Sequence, residues 1–204
     1  MTTTSSITIR RARPSDRPQL ITLFADAFLH SPVGDWLIAD LDTRYAVYCD
    51  YFAIFIDHGL DHGVIDTTDA NTGAAIWHPH ASPPPDDYTN RLADACGPWL
   101  PRFQQLDHTF ARHHPTTPHE HLTFIAVHPD VQNYNIGTTL LRHRHSQLDQ
   151  DGTAAYLEAS NSNNRRLYLR SGYSEMPAGP FHLPDNGPPI WPMWRQPRPT
   201  DVSP

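Results

Sequence analysis

Residues 122–138 hold the spacing with the clearest chemistry. An apolar run from Leu122 ends at Val127-His128-Pro129, a short polar loop follows, and an amphipathic pattern opens at Ile136-Gly137. A strand, a tight turn and a helix start in that order leave unpaired N–H groups aimed at one spot, an arrangement that suits a phosphate. Asn133 and Asn135 fall inside the turn. Asparagine is the non-glycine residue most tolerant of positive φ, so a backbone nest is expected there, with the Tyr134 ring adding bulk beside it.

Other chemistries find less support. Fourteen histidines include the pairs His78/His80, His113/His114, His119/His121 and His143/His145. Zinc sites usually recruit Cys or carboxylate at fixed spacing, and neither HExxH nor a Cys/His ribbon is present, so no metal is expected. His143 and His145 stand two apart on a predicted helix and therefore point to different faces. No Gly-x-Ser-x-Gly elbow speaks for a hydrolase. All fifteen cationic residues are Arg, which excludes a lysine Schiff base or a P-loop lysine.

The chain has 204 residues, enough for one domain with a proper core, and a net charge of −7 with no basic run, which argues against nucleic acid. Cys49 and Cys96 form no CxxC; Cys49 is expected in the core. No apolar stretch reaches membrane-spanning length, and Met1-Thr2-Thr3-Thr4 opens no signal peptide, so a cytoplasmic protein without membrane association is expected.

Positioning the loop requires a regular frame. Ile7–Arg10 alternates as a strand, and Pro14-Ser15-Asp16 starts a helix carrying Leu20, Leu23, Phe24, Ala27 and Phe28 on one face. After a loop through Ser31-Pro32, a second helix aligns Tyr45, Tyr48, Cys49, Phe52, Phe55 and Ile56. A hairpin follows, 64–66 with 74–77. Residues 79–118, opened by Pro83-Pro84-Pro85, read as a helical insertion. Then come a strand at 122–127, a helix from 136 to 150 stopped by Gly152, a buried strand at 154–159, a helix from 164 to 171, and strands near 173–176 and 190–195. The order describes one mixed α/β domain over 1–204 with a tail at 197–204.

The 132–137 segment, Gln-Asn-Tyr-Asn-Ile-Gly, resembles the acyl-CoA loop of the GNAT superfamily of N-acyltransferases, Gln/Arg-x-x-Gly-x-Gly/Ala. Gln132 and Gly137 fit, and Asn135 stands where the middle glycine is expected. Asn161 to Tyr173 is similar to a second family stretch, a polar helix start, then Leu-Tyr, then a Gly-aromatic turn at Gly172-Tyr173. Ala27-Phe28, Pro32, Ala75-Ile76-Trp77 and Trp191-Pro192-Met193-Trp194-Arg195 narrow the likeness to puromycin N-acetyltransferase-like members. The resemblance implies the GNAT fold: an α/β (α+β) domain whose mostly antiparallel sheet of six to seven strands is splayed at a bulged strand and flanked by four helices.

It also implies roles. Acetyl-CoA would be the cofactor, held by Ile125, Ala126 and Val127 along the strand, by Gln132, Asn133, Tyr134, Asn135, Ile136, Gly137 and Thr138 around the diphosphate, and by Asn164. Tyr168 would bond the sulfur and protonate the leaving thiolate. The amine must lose a proton to attack, and the base stays open between Glu158, Glu120 or His121, and no dedicated residue. Glu158 has an alternative as a partner for Arg165 or Arg166. Trp77 and Trp191 are the candidates for an acceptor pocket. The expected function is acetyl transfer to a primary amine of a small molecule, such as an aminonucleoside or another amine-bearing antibiotic. The alternatives are a non-catalytic acyl-CoA-binding module and a peptide or protein N-acetyltransferase. Homodimers, common in the superfamily, are the assembly it implies.

Overall fold

In the computed structural model residues 7–199 are described; Met1-Thr2-Thr3-Thr4 and the end of the tail, 200–204, lie outside them. The elements run β1 (Ile9–Arg11), α1 (Arg17–Phe28), α2 (Pro32–Leu37), α3 (Leu41–His62), β2 (Val64–Thr68), β3 (Gly73–Pro79), α4 (Tyr88–Cys96) and α5 (Leu100–His113). They continue with β4 (Glu120–Val127), α6 (Ile136–Gln150), β5 (Ala155–Ala159), α7 (Ser162–Arg170), β6 (Ser174–Glu175), β7 (Phe181–His182) and β8 (Pro189–Arg195). No helix among the described residues is long and apolar enough to cross a membrane.

Local chemistry sets the helix starts. Asp40 Oδ1 accepts the Thr43 N–H at 2.8 Å ahead of α3, and Asn161 Oδ1 accepts the Asn164 N–H at 2.8 Å ahead of α7. The segment read as a loop at Ser31-Pro32 is a helix instead: Ser31 Oγ accepts the Gly34 N–H at 3.0 Å and Pro32 occupies the first turn. The insertion contains α4 and α5, separated by a short 3-10 turn at Gly97–Trp99.

The strands form an open sheet in the order β1-β2-β3-β4-β5-β8-β6, with β7 added on β8. Seven of these strands match the six to seven expected, and β7, a two-residue strand too short to show a period, adds an eighth. Each pair is antiparallel except β4 with β5.

Two features of β4 shape the molecule. Along β3 the register passes from Ile76↔Phe124 to Trp77↔Leu122, leaving Thr123 unmatched as a bulge. A one-residue bulge reverses which main-chain groups face which neighbour. Before it, the Glu120 N–H donates to Ala154 O at 2.8 Å on the β5 side; after it, the His128 N–H donates to Thr72 O at 2.9 Å on the β3 side. The main-chain groups of Ile125 and Val127 therefore turn toward β5. That strand is no longer there, since β4 and β5 pair only at Glu120↔Ala155 and His121↔Tyr156 and then separate.

Helices cover both faces. α1 and α3 bury Leu20, Phe24, Phe52 and Ile56 against Ile65, Ile76 and Ala126, with Phe103 of α5 joining them. α6 and α7 bury Leu140, Leu141 and Tyr168 against Trp77, Leu122, Leu157 and Met193.

Arg44 of α3 is fully buried beneath the α2 turn. Its guanidinium donates to Ile38 O at 2.6 Å and to Leu29 O, and it pairs with exposed Asp35 at 2.8 Å. Arg44→Met keeps the bulk but leaves those carbonyls without a donor. Chemical denaturation should show a loss of about 2–3 kcal/mol, the cost of orphaned buried acceptors.

Candidate active site

The gap between β4 and β5 lies beside the loop that leads into α6. Asn133 and Asn135 both adopt the left-handed region, at φ 68° and 63°, so asparagine takes the backbone that glycine would otherwise supply. Between them the loop turns its amides outward. The N–H groups of Asn133 to Thr138 find no acceptor among the described residues, and no side chain caps α6. The first bond of the helix runs from Thr139 N–H to Asn135 O at 2.9 Å. Tyr134 is 70% exposed and stands clear of the turn. Gln132 Nε2 donates to Val127 O at 3.3 Å, tying the loop to the end of β4.

Gly137 has ordinary helical φ, and a Cβ there would meet Leu167 Cδ2 at 3.5 Å and Val127 Cγ2 at 3.8 Å. Its contacts place the end of β4, the loop and α7 around one point. Successive outward amides, a helix N-terminus and an unpaired strand edge together suit a diphosphate followed by an amide-bearing arm. The residues present therefore fit the expected cofactor, acetyl-CoA. Ala126 is buried with its main chain on β3, while Asn164 lends its N–H to the Asn161 cap.

On the other side of the splay lies a cleft of about 210 Å³, lined by Phe55, His58, His78, His80, His114 and His121 together with Thr123 and three prolines. His78 Nδ1 and the Thr123 hydroxyl lie 2.8 Å apart, so the bulge residue faces the cleft. Burial, with the neighbouring His58, His121 and His62, lowers the His78 imidazolium to about 3.

His121 Nε2 lies 2.9 Å from Glu158 Oε2, and His114 Nδ1 lies 3.6 Å from Oε1. Burial by itself would push the Glu158 carboxyl up; the surrounding His121 and His114 outweigh it and hold the group at about 2. Its alternative partners are engaged elsewhere: Arg165 Nε donates to Glu175 at 2.7 Å, and Arg166 donates to Asn163. Glu120 and His121 point to opposite faces of β4. Glu120 is buried and paired with Arg144 of α6, away from the cleft.

Tyr168 is buried in the α6–α7 cluster, its ring 5.9 Å from that of Tyr173. Burial raises its pKa, so the hydroxyl stays protonated. Trp77 corrects an expectation. It is fully buried under α6, edge-on to His145, and cannot line an acceptor pocket; strand alternation brings His78 to the cleft instead. Trp191 of β8 pairs with Ala159 of β5 and packs half-buried on the same cluster, and it is not part of the cleft wall. As expected, His143 and His145 diverge, one 3.9 Å from Asp66 and the other 3.0 Å from the Tyr173 hydroxyl.

The cleft residues His58, His80 and His114 were not singled out in the sequence as members of a site. The available signal was the H-x-H repeat at 78–80, which includes His80 but neither His58 nor His114. β3 and β4 are antiparallel neighbours, and their register sets His78 opposite His121.

Sheet order, bulge, splay and amide-lined turn together define a GNAT fold. Residues 101–173, which contain that turn and α7, match the model of the Acetyltransferase (GNAT) family. The structure described as histone acetyltransferase HPA2 and related acetyltransferase from Corynebacterium glutamicum is similar at 24% identity and a TM-score of 0.72, over 97% of this chain and 99% of that one. Arylalkylamine N-acetyltransferase 2 from Aedes aegypti is similar at 8% identity and a TM-score of 0.66, over 95% and 100% of the two chains. The ribosomal-protein-S18-alanine N-acetyltransferase from Escherichia coli follows at 17% and 0.55, over 97% and 98%. The puromycin N-acetyltransferase-like likeness rests on the sequence motifs alone.

Proposed function

We propose that the protein is an N-acetyltransferase that moves acetyl from acetyl-CoA to the primary amine of a small molecule. The observation that carries this reading is the unpaired edge of β4, where the Ile125 and Val127 main chains run into the outward amides of Asn133 to Thr138. Bound acetyl-CoA would supply an acetyl group activated as a thioester. The amides would cradle its diphosphate, and the strand edge would pair with its pantetheine arm. His121, on the cleft side, accepts the proton of the attacking amine. Glu158 holds the imidazole in place and stays ionised. The Tyr168 hydroxyl donates to the departing sulfur.

A cleft of about 210 Å³ supports a small acceptor, since drug-sized ligands fill roughly 300–1,000 Å³. A compact amine-bearing antibiotic or a fragment of an aminonucleoside is the class we favour, with drug inactivation or self-protection as the role. Direct attack within a ternary complex accounts for much of the rate by proximity.

A thermal-shift titration with acetyl-CoA should show stabilisation of about 2.7 kcal/mol at a hundredfold excess over Kd. No shift at saturation would overturn the cofactor assignment. Thiol release with amines, drugs and peptides then reads the acceptor, and turnover with peptides alone would overturn the small-molecule choice. Asn135→Gly relieves left-handed backbone worth up to about 1 kcal/mol, so calorimetry should find acetyl-CoA binding preserved or tightened by less than about tenfold. Marked weakening would show that the asparagine side chain itself contacts the cofactor.

A further inference from the structure

Three histidines from separate segments meet at the rim of the cleft. His80 follows β3, His114 follows α5, and His119 precedes β4. One nitrogen of each lies within 4.8 Å of the other two. The ring centroids of His80 and His114 are 4.7 and 5.0 Å from that of His119.

His119 is the informative member. Its side chain is buried, with 4% of the residue exposed. Nδ1 lies 2.7 Å from Thr117 O, and only a protonated Nδ1 can donate to a carbonyl, which leaves the lone pair on Nε2. That Nε2 is buried with no hydrogen-bond partner among the described residues. A histidine fixed through Nδ1 by a backbone carbonyl, with a bare Nε2, has the preparation of a metal ligand. The main chain adds to it, because the His80 N–H donates to His119 O at 2.9 Å and holds two of the three residues in register.

We propose that His80, His114 and His119 bind one divalent transition-metal ion, Zn²⁺ by preference, with the fourth position open to the cleft. Three imidazoles and no carboxylate favour Zn²⁺, Co²⁺, Ni²⁺ or Cu²⁺ over Mg²⁺ or Ca²⁺. Zn–N bonds of about 2.0–2.1 Å in a tetrahedral site need nitrogens about 3.4 Å apart. Exposed His80 and half-buried His114 can turn to close the remaining gap. The ion would pin the segment after β3, the end of α5 and the start of β4, three parts of the wall around the acceptor cleft. His121 and Glu158 with His114 form a rival set. There the Glu158 and His121 side chains already bond each other at 2.9 Å and would have to give up that bond. The inference stands independently of acetyl transfer.

The test uses the full chain without a histidine tag. Calorimetry should find one equivalent of Zn²⁺, the melting temperature should rise with it, and Co²⁺ should give the visible spectrum of a four-coordinate site. His80→Ala, at an exposed position, and His119→Gln should each weaken binding by at least about tenfold, as losing a ligand or its support does. His143→Ala should leave binding unchanged. The proposal is overturned if Zn²⁺ fails to bind stoichiometrically, or if binding survives His80→Ala. Loss on Glu158→Gln with His80→Ala unaffected would overturn it in favour of the rival set.

Discussion

Replacing His121 by alanine should lower kcat/KM for acetyl transfer by about 100- to 1,000-fold while leaving acetyl-CoA binding intact. A positioned general base contributes on that scale, and His121 borders the cleft with its Nε2 2.9 Å from Glu158 Oε2, closer than His114 at 3.6 Å from Oε1. A free carboxylate held at about 2 is a poor proton acceptor from an amine, which assigns Glu158 to orientation and charge. Steady-state kinetics should show that added imidazole restores part of the rate in His121→Ala. Glu158→Gln should lower kcat by about tenfold with the KM for acetyl-CoA unchanged, since it removes the imidazole's anchor and no cofactor contact. Full activity in His121→Ala would leave water or the substrate itself to take the proton.

Tyr168→Phe should reduce kcat by about 10- to 100-fold, with acetyl-CoA affinity within a factor of about two, the mark of an interaction made only during reaction. The ring is enclosed by apolar neighbours and its hydroxyl makes no hydrogen bond among the described residues, so phenylalanine should fold into the same place. Burial keeps the phenol protonated, which favours hydrogen-bond donation to a sulfur gaining charge. Pre-steady-state kinetics separate the effect from product release. An unchanged single-turnover rate would remove Tyr168 from the reaction.

Spacing along the chain does not show the histidine cluster. His78/His80, His113/His114 and His119/His121 were visible as pairs, but no pair alone has the geometry of a site. His80, His114 and His119 come from three segments, and only the antiparallel register of β3 with β4 and the end of α5 bring them together. Trp77 shows the same limit from the other side. An aromatic residue closing a strand beside a cleft was a reasonable pocket residue. The choice between Trp77 and His78 turns on which face of β3 is covered, and α6 covers the face that Trp77 occupies.

Local rules carried far elsewhere. Helix α6 runs from Ile136 to Gln150, as its apolar spacing and Gly152 indicate. The left-handed asparagines follow from a conformational tolerance intrinsic to that residue. The short helix at Pro32–Leu37 was also encoded locally, by a serine cap and a proline in the first turn.

The sequence by itself determined most of the elements, the left-handed turn at Asn133 and Asn135, and the helix that presents Tyr168, because each depends on φ preference, capping or periodicity within a few residues. The tertiary structure alone decided that Thr123 bulges, that β4 and β5 part after two pairs, and that His121 meets Glu158 while Glu120 turns to Arg144. Those outcomes depend on strand register and on the packing of α5 and α6, which couple residues distant in the chain and leave no local trace.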